Sequence, residues 1–157
     1  RGLLMSAWYN RVVGDLSEII GAIGHFETEL ESAKYEVRIK GSLEKASSSL
    51  PGITENRFGQ LQEIEAILEH LNISLRKERS IVFRKFFETY NRQLTSRDAE
   101  KYVDGEDSVI DLTHLVNQFA LLRNRYLGIL KGLDVKQWQI GHITKLRTAG
   151  MEDIVID

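Results

Sequence analysis

The sequence predicts an all-α protein of four to five amphipathic helices. A long helical hairpin is followed by C-terminal helices, and the whole is suited to an oligomeric helical assembly. Three observations carry this. Apolar residues recur at alternating spacings of four and three over long stretches, which is the period of a helical seam and not of a strand. One proline among 157 residues leaves the pattern almost uninterrupted. Capping residues stand where the seams stop and restart. A chain that is 42% hydrophobic and 28% charged is too apolar for disorder. Its length suits one domain, residues 1–150, burying roughly 70% of the unfolded chain's surface.

The first seam runs Val12, Leu16, Ile19, Ile23, Phe26, Leu30, Ala33 and Val37. Gly14, Gly21 and Gly24 interrupt it, each costing about 1 kcal/mol against Ala inside a helix. They mark either a close backbone approach or a bend. Pro51, within Ser47-Ser48-Ser49-Leu50-Pro51-Gly52, is the strongest break signal and is expected to separate the first two long helices. Thr54 then serves as N-cap. The next seam is Phe58, Leu61, Ile64, Leu68, Leu71, Leu75, Val82 and Phe86, with Glu78 in an apolar slot. Thr95-Ser96-Arg97-Asp98 starts a short helix to about Val103, closed by Asp104-Gly105. Ser108 caps a longer helix with Leu112, Leu115, Val116, Phe119, Leu122, Tyr126, Ile129 and Leu133 inward. Asp134 with Gln137 resembles a capping box for a last helix, which carries Val135, Trp138, Ile143 and Leu146 and stops at Gly150. Residues 151–157 form an acidic tail. Trp138, in an apolar periodic stretch, reads as a core or subunit-packing residue sooner than as a base-stacking one.

The absence of cysteine removes disulfides, thiolate catalysis and cysteine-based zinc sites. It suits a reducing compartment. No apolar run approaches the ~18 residues of a membrane span, and no signal peptide is visible ahead of the first seam. A cytoplasmic location is therefore expected, that of the host cell if the gene is a phage's. No glycine-rich phosphate loop is present. His25, His70, His114 and His142 fall on different stretches. Asp111 with His114 is the best metal pair, but a bundle di-iron site needs a Glu-x-x-His on each of two helices and two further carboxylates. The pair reads as solvated. Glu27 and Glu31 read as an exposed acidic face. Asp104, Glu106 and Asp107 lack the spacing of a calcium loop. The expectation is a non-enzyme without metal or cofactor.

Charge is more informative than its sum. The net charge of −2 conceals blocks of alternating sign. Residues 1–74 carry −4 and residues 75–97 carry +5, with Arg76, Lys77, Arg79, Arg84, Lys85, Arg92 and Arg97 against two acids. Residues 98–116 carry −5, residues 117–147 carry +5, and the tail −3. The 75–97 block interleaves its cations with Phe83, Phe86, Phe87 and Tyr90. Single-strand binders combine these types because cations follow the phosphates and release counterions, while aromatic faces stack on bases. A helix with a basic solvent face and an aromatic core face gives the same pattern. The adjoining −5 block either meets the +5 block of another copy or neutralises it within one chain.

The C-terminal half resembles a known family. Asp98, four residues before Tyr102-Val103-Asp104-Gly105-Glu106-Asp107, is similar to the entry of the conserved half of the UvsY-type phage recombination mediators. The resemblance continues through Tyr126-Leu127 and Leu130-Lys131-x-Leu133, and closes on Trp138-Gln139-Ile140 and Ala149-Gly150. Lys77-x-Arg79 resembles the family's basic helix. The similarity covers roughly residues 60–150. It implies a non-enzymatic accessory protein of DNA recombination and repair that forms ring-like homo-oligomers and binds single-stranded DNA. Such a protein helps a RecA-like recombinase displace the single-strand-binding protein. The resemblance makes Lys77 and Arg79 DNA contacts; charge and helix spacing add Arg76, Arg84 and Lys85. Two other readings stand beside this one. One is a coiled-coil or bundle protein that oligomerises or docks a partner helix without nucleic acid. The other is a bundle enzyme using Asp111 and His114.

Overall fold

The computed structural model describes residues 7–89 and 95–150, and among these the protein is all-α. Helix α1 spans Ala7–Gly14, a single 3-10 turn spans Leu16–Glu18, and α2 spans Ile19–Glu36. Helix α3 runs Leu43–Thr89, α4 Ser96–Asp104 and α5 Asp107–Thr148. The tail lies outside the described residues. Where the sequence reads as one domain, the chain groups into two compact units. The first comprises Arg1–Ile64 with Leu122–Asp157, the second Glu65–Leu121.

The main departure from the sequence reading is Pro51, which lies inside α3 and does not end a helix. Thr54 is accordingly an interior residue and caps nothing. Proline removes one i→i−4 hydrogen bond. Here Ser47, whose carbonyl loses that donor, and Pro51 itself are both exposed, so water can take the place of the missing N–H. Ala46, Leu50, Leu61 and Ile64 are buried on either side of the proline, so packing holds the helix together through it. The break comes earlier, at Gly41 with φ of 71°. Ser42 then caps α3, its Oγ accepting from the Lys45 N–H at 3.1 Å.

A second break is also absent. Asp134 and Gln137 cap no new helix, because α5 continues from Asp107 to Thr148. Ser108 likewise lies within its first turn. The reason is a buried seam that crosses the expected boundary: Phe119, Leu122, Tyr126, Ile129, Leu133, Lys136 and Ile140, spaced three and four apart. One of its slots holds a lysine, which hides the seam from an apolar count. Phe58, Val135 and Trp138, read as inward-facing, are exposed, and Trp138 at 76% is not a core residue.

Several local expectations hold. Thr95 caps α4, accepting the Asp98 N–H at 3.1 Å, and Gly105 closes it. Gly14 ends α1, and Gly21 is a close approach, since a Cβ there would stand 2.8 Å from the Trp8 ring. Val12, Ile19, Phe26, Leu30 and Ala33 are buried as the seam predicts.

In the first unit the contacts fix the helix directions. Glu36 and Glu29 of α2 meet Arg57 and Gln60 of α3, while Tyr9 of α1 meets Glu63. Rising numbers meet falling ones, so α2 and α3 form an antiparallel hairpin. Helix α5 runs with α2: the Tyr126 hydroxyl donates to the Phe26 carbonyl at 3.2 Å, and the Lys136 ammonium donates to the Glu36 carbonyl at 2.7 Å. Burial raises the pKa of the Tyr126 hydroxyl and lowers that of the Lys136 ammonium.

Buried charges finish helix ends here. Lys136 caps the C-terminus of α2, where carbonyls lack intrahelical donors and the helix dipole favours a cation. Glu63 accepts the Tyr9 N–H in the first turn of α1 at 3.0 Å, the complementary arrangement at an N-terminus. Its burial holds the carboxyl above the ordinary glutamate range.

Helix α5 provides a test of close packing. A Cβ on Gly132 would lie 2.9 Å from Val37 Cγ1, whereas one on Gly128 meets nothing within 4 Å. Gly128→Ala is expected to stabilise the protein by up to about 1 kcal/mol through helix propensity. Gly132→Ala is expected to be neutral or destabilising, because a β-branched neighbour must give way. Thermal unfolding of the two variants side by side checks this.

Candidate nucleic-acid interface

The second unit holds the basic segment. Val82, Val103 and Val109 form its core, with Leu75, Phe83 and Phe86 packed against them. Helix α4, fixed by its caps, thereby lies on α3. The ring pair Phe86–Tyr102, with centroids 5.4 Å apart, continues the contact.

All five cations read as site residues lie on one stretch of α3. Arg76, Lys77, Arg84 and Lys85 are exposed, and Arg79 is 39% exposed. Their surroundings differ. The Arg79 guanidinium meets Asp104 at 2.8 Å, the Lys85 ammonium meets Glu106 at 3.9 Å, and Arg76 meets Glu69 at 3.8 Å. Lys77 and Arg84 form no ion pair among the described residues. They are seven residues apart, on the same face of the helix, at about 10.5 Å along its axis. Ile73, Ile81 and Phe87 are exposed near them. Arg92 and Tyr90 lie outside the described residues.

The contacts divide the aromatic set. Phe83 and Phe86 belong to the core, as the packing alternative required. Phe87 is 43% exposed, with its ring 4.7 Å from that of Phe83, and Tyr102 is 47% exposed. Tyr102 was not grouped with the aromatics of the 75–97 block, because its partner Phe86 is sixteen residues away and only the α3–α4 packing joins them. The same packing bears on the charge blocks. Arg79–Asp104 and Lys85–Glu106 neutralise part of the +5 and −5 blocks within one chain. Such exposed pairs contribute about 0–1 kcal/mol each, so a competing anion exchanges with them at little cost.

A hollow of about 260 Å³ opens beside Arg79, lined also by Asp104, Val109, Ile110, Thr113, His114 and Asn117. In the first unit, a groove of about 960 Å³ is lined by Leu50, Pro51, Phe58, Ile140 and Lys145 among others. Asp111 and His114 are exposed, and among the described residues no group of three or more His, Cys, Asp or Glu is placed to hold a metal ion. No described helix is long and apolar enough to cross a membrane. No protein-family model, curated protein or solved structure matches the chain.

Proposed function

We propose that the protein binds single-stranded DNA along residues 76–85 of α3 and acts as a recombination mediator, helping a RecA-like recombinase onto strands held by a single-strand-binding protein. One observation carries the reading. Five cations project from this stretch, and two of them, Lys77 and Arg84, stand exposed on one face with no ion pair among the described residues. The sequence resemblance to the UvsY-type mediators supports the mediator role and the assembly as a homo-oligomer, a ring in that family's manner. An assembly would present many weak sites on one strand, so that avidity supplies the affinity. The reading requires no catalytic residue and no cofactor.

The test is fluorescence anisotropy with a labelled oligothymidylate across a salt series. The logarithm of affinity is expected to fall linearly with the logarithm of salt, by about 0.7 per phosphate contacted. No binding at low salt by the folded protein would overturn the reading. The apolar groove around Leu50, Pro51, Phe58 and Ile140 favours a second reading, a bundle that docks a partner helix. That reading gives no oligonucleotide binding.

A further inference from the structure

The hollow beside Arg79 has a composition that the phosphate-binding segment does not explain. We propose that it receives one purine base of the bound strand, guanine in preference to thymine. This rests on the single-strand reading above, and Arg79 is the residue the two share.

The walls of the hollow differ in chemistry. Val109 and Ile110 supply an apolar surface, the first buried and the second 37% exposed. Thr113 has used its donor, because its hydroxyl donates to the Val109 carbonyl at 2.7 Å, and retains only acceptor capacity. His114 and Asn117 are exposed and make no hydrogen bond to other described residues. Asn117 therefore offers both a donor and an acceptor, and His114 a ring face and ring nitrogens. One guanidinium nitrogen of Arg79 is held by Asp104 at 2.8 Å, and the group retains further N–H donors.

The pocket is thus of mixed sign. A carboxylate on its wall disfavours a phosphate, while a neutral group with one donating edge and one accepting edge matches both Arg79 and Asp104. Guanine has this form: N7 and O6 accept, the pairing preferred by arginine, and its exocyclic amine donates. Thymine has neither N7 nor an amine. At about 260 Å³ the hollow lies just below the size of drug-sized ligand pockets, which fits a single base.

The test compares three strands of equal length: oligothymidylate, a strand of thymine-thymine-guanine repeats, and the same repeat with 7-deazaguanine. The guanine strand is expected to bind at least about fivefold more tightly than oligothymidylate. The salt slopes should match, because the phosphate contacts are the same. Replacing guanine by 7-deazaguanine removes an acceptor on the ligand side and should cancel most of the preference without touching the protein. Asn117→Ala and His114→Ala should do the same while keeping affinity for oligothymidylate; both side chains are exposed, and far-UV circular dichroism checks the fold. Equal binding of guanine and thymine strands overturns the pocket but leaves phosphate binding standing. So does a preference that survives both variants, or a uniform loss on all strands in them. Failure of the unaltered protein to bind any strand overturns both readings.

Discussion

Reversing Lys77 and Arg84 together (Lys77→Glu with Arg84→Glu) is expected to weaken single-stranded DNA binding at least about tenfold at low salt and to flatten the salt slope by about 1.4, that is, 0.7 for each of two contacts. The effect should be large because neither cation has an ion pair among the described residues. Both are exposed, so reversal should leave the core of Val82, Val103 and Val109 intact. The control is Lys40→Glu with Lys45→Glu, two exposed cations of the first unit that change net charge by the same amount. If the control loses as much affinity, overall charge and not the α3 face governs binding, and the site assignment fails. Arg79 and Lys85 should give smaller effects singly, because part of their charge is already answered by Asp104 and Glu106.

Removing Arg57 is expected to produce the largest loss of stability. Its side chain is 4% exposed, with Nε 2.7 Å from Glu36 and a terminal nitrogen 3.1 Å from Glu29. Gln60 completes the set, donating to the same Glu29 oxygen at 2.6 Å. Arg57→Met keeps an apolar stem but takes from Glu29 and Glu36 the guanidinium they share. Breaking a buried pair in this way costs about 3–5 kcal/mol. The lower end applies here, because Glu29 and Glu36 are 31% and 28% exposed and regain some water.

The loss should also depend on pH. The Gln60 hydrogen bond, followed by the Arg57 charge, holds the Glu29 carboxyl below its ordinary value of 4.5. A carboxyl depressed in the folded state adds stability above its unfolded value, and that stability is lost as pH falls through the folded one. The stability that Glu29 contributes should therefore be lost as pH drops below about 4.5. In Arg57→Met the guanidinium interaction is already gone, so the gap between the two proteins should narrow over the same range. Urea unfolding at pH 7 and pH 4 reads both effects. A penalty unchanged by pH would show that lost packing, not charge, is its source.

These results bear on what the amino-acid sequence makes legible. Local signals served well where the chemistry is local: the Thr95 cap and the Gly105 stop were both readable from neighbouring residues. They failed where distant packing decides. Pro51 is a strong breaker in isolation, but buried residues on both sides hold α3 through it. Asp134 and Gln137 form a plausible start, but the α5 seam passes beneath them with Lys136 in an apolar slot. Arg57, Glu63 and Lys136 were invisible as core residues because a charged side chain carries no apolar period; only their partners on other helices explain their burial. For the candidate site, the cations were legible as a block. Their division into paired and unpaired members was not, because it depends on where α4 places Asp104 and the following turn places Glu106.

The contacts between α2 and α5 have a consequence for how the gene can vary in length. Phe26 meets Tyr126 and Glu36 meets Lys136, so ten residues separate the two contacts on each helix. The two segments work as matched rulers. One residue inserted between Tyr126 and Lys136 would turn every later side chain by about 100° and move the ammonium away from the end of α2. A length change in one ruler is tolerated only with an equal change in the other. Between Val37, packed against Gly132, and Gly41, which precedes the Ser42 cap, the loop is bound by no such ruler. Length polymorphism should collect there, and the two rulers should change length only together.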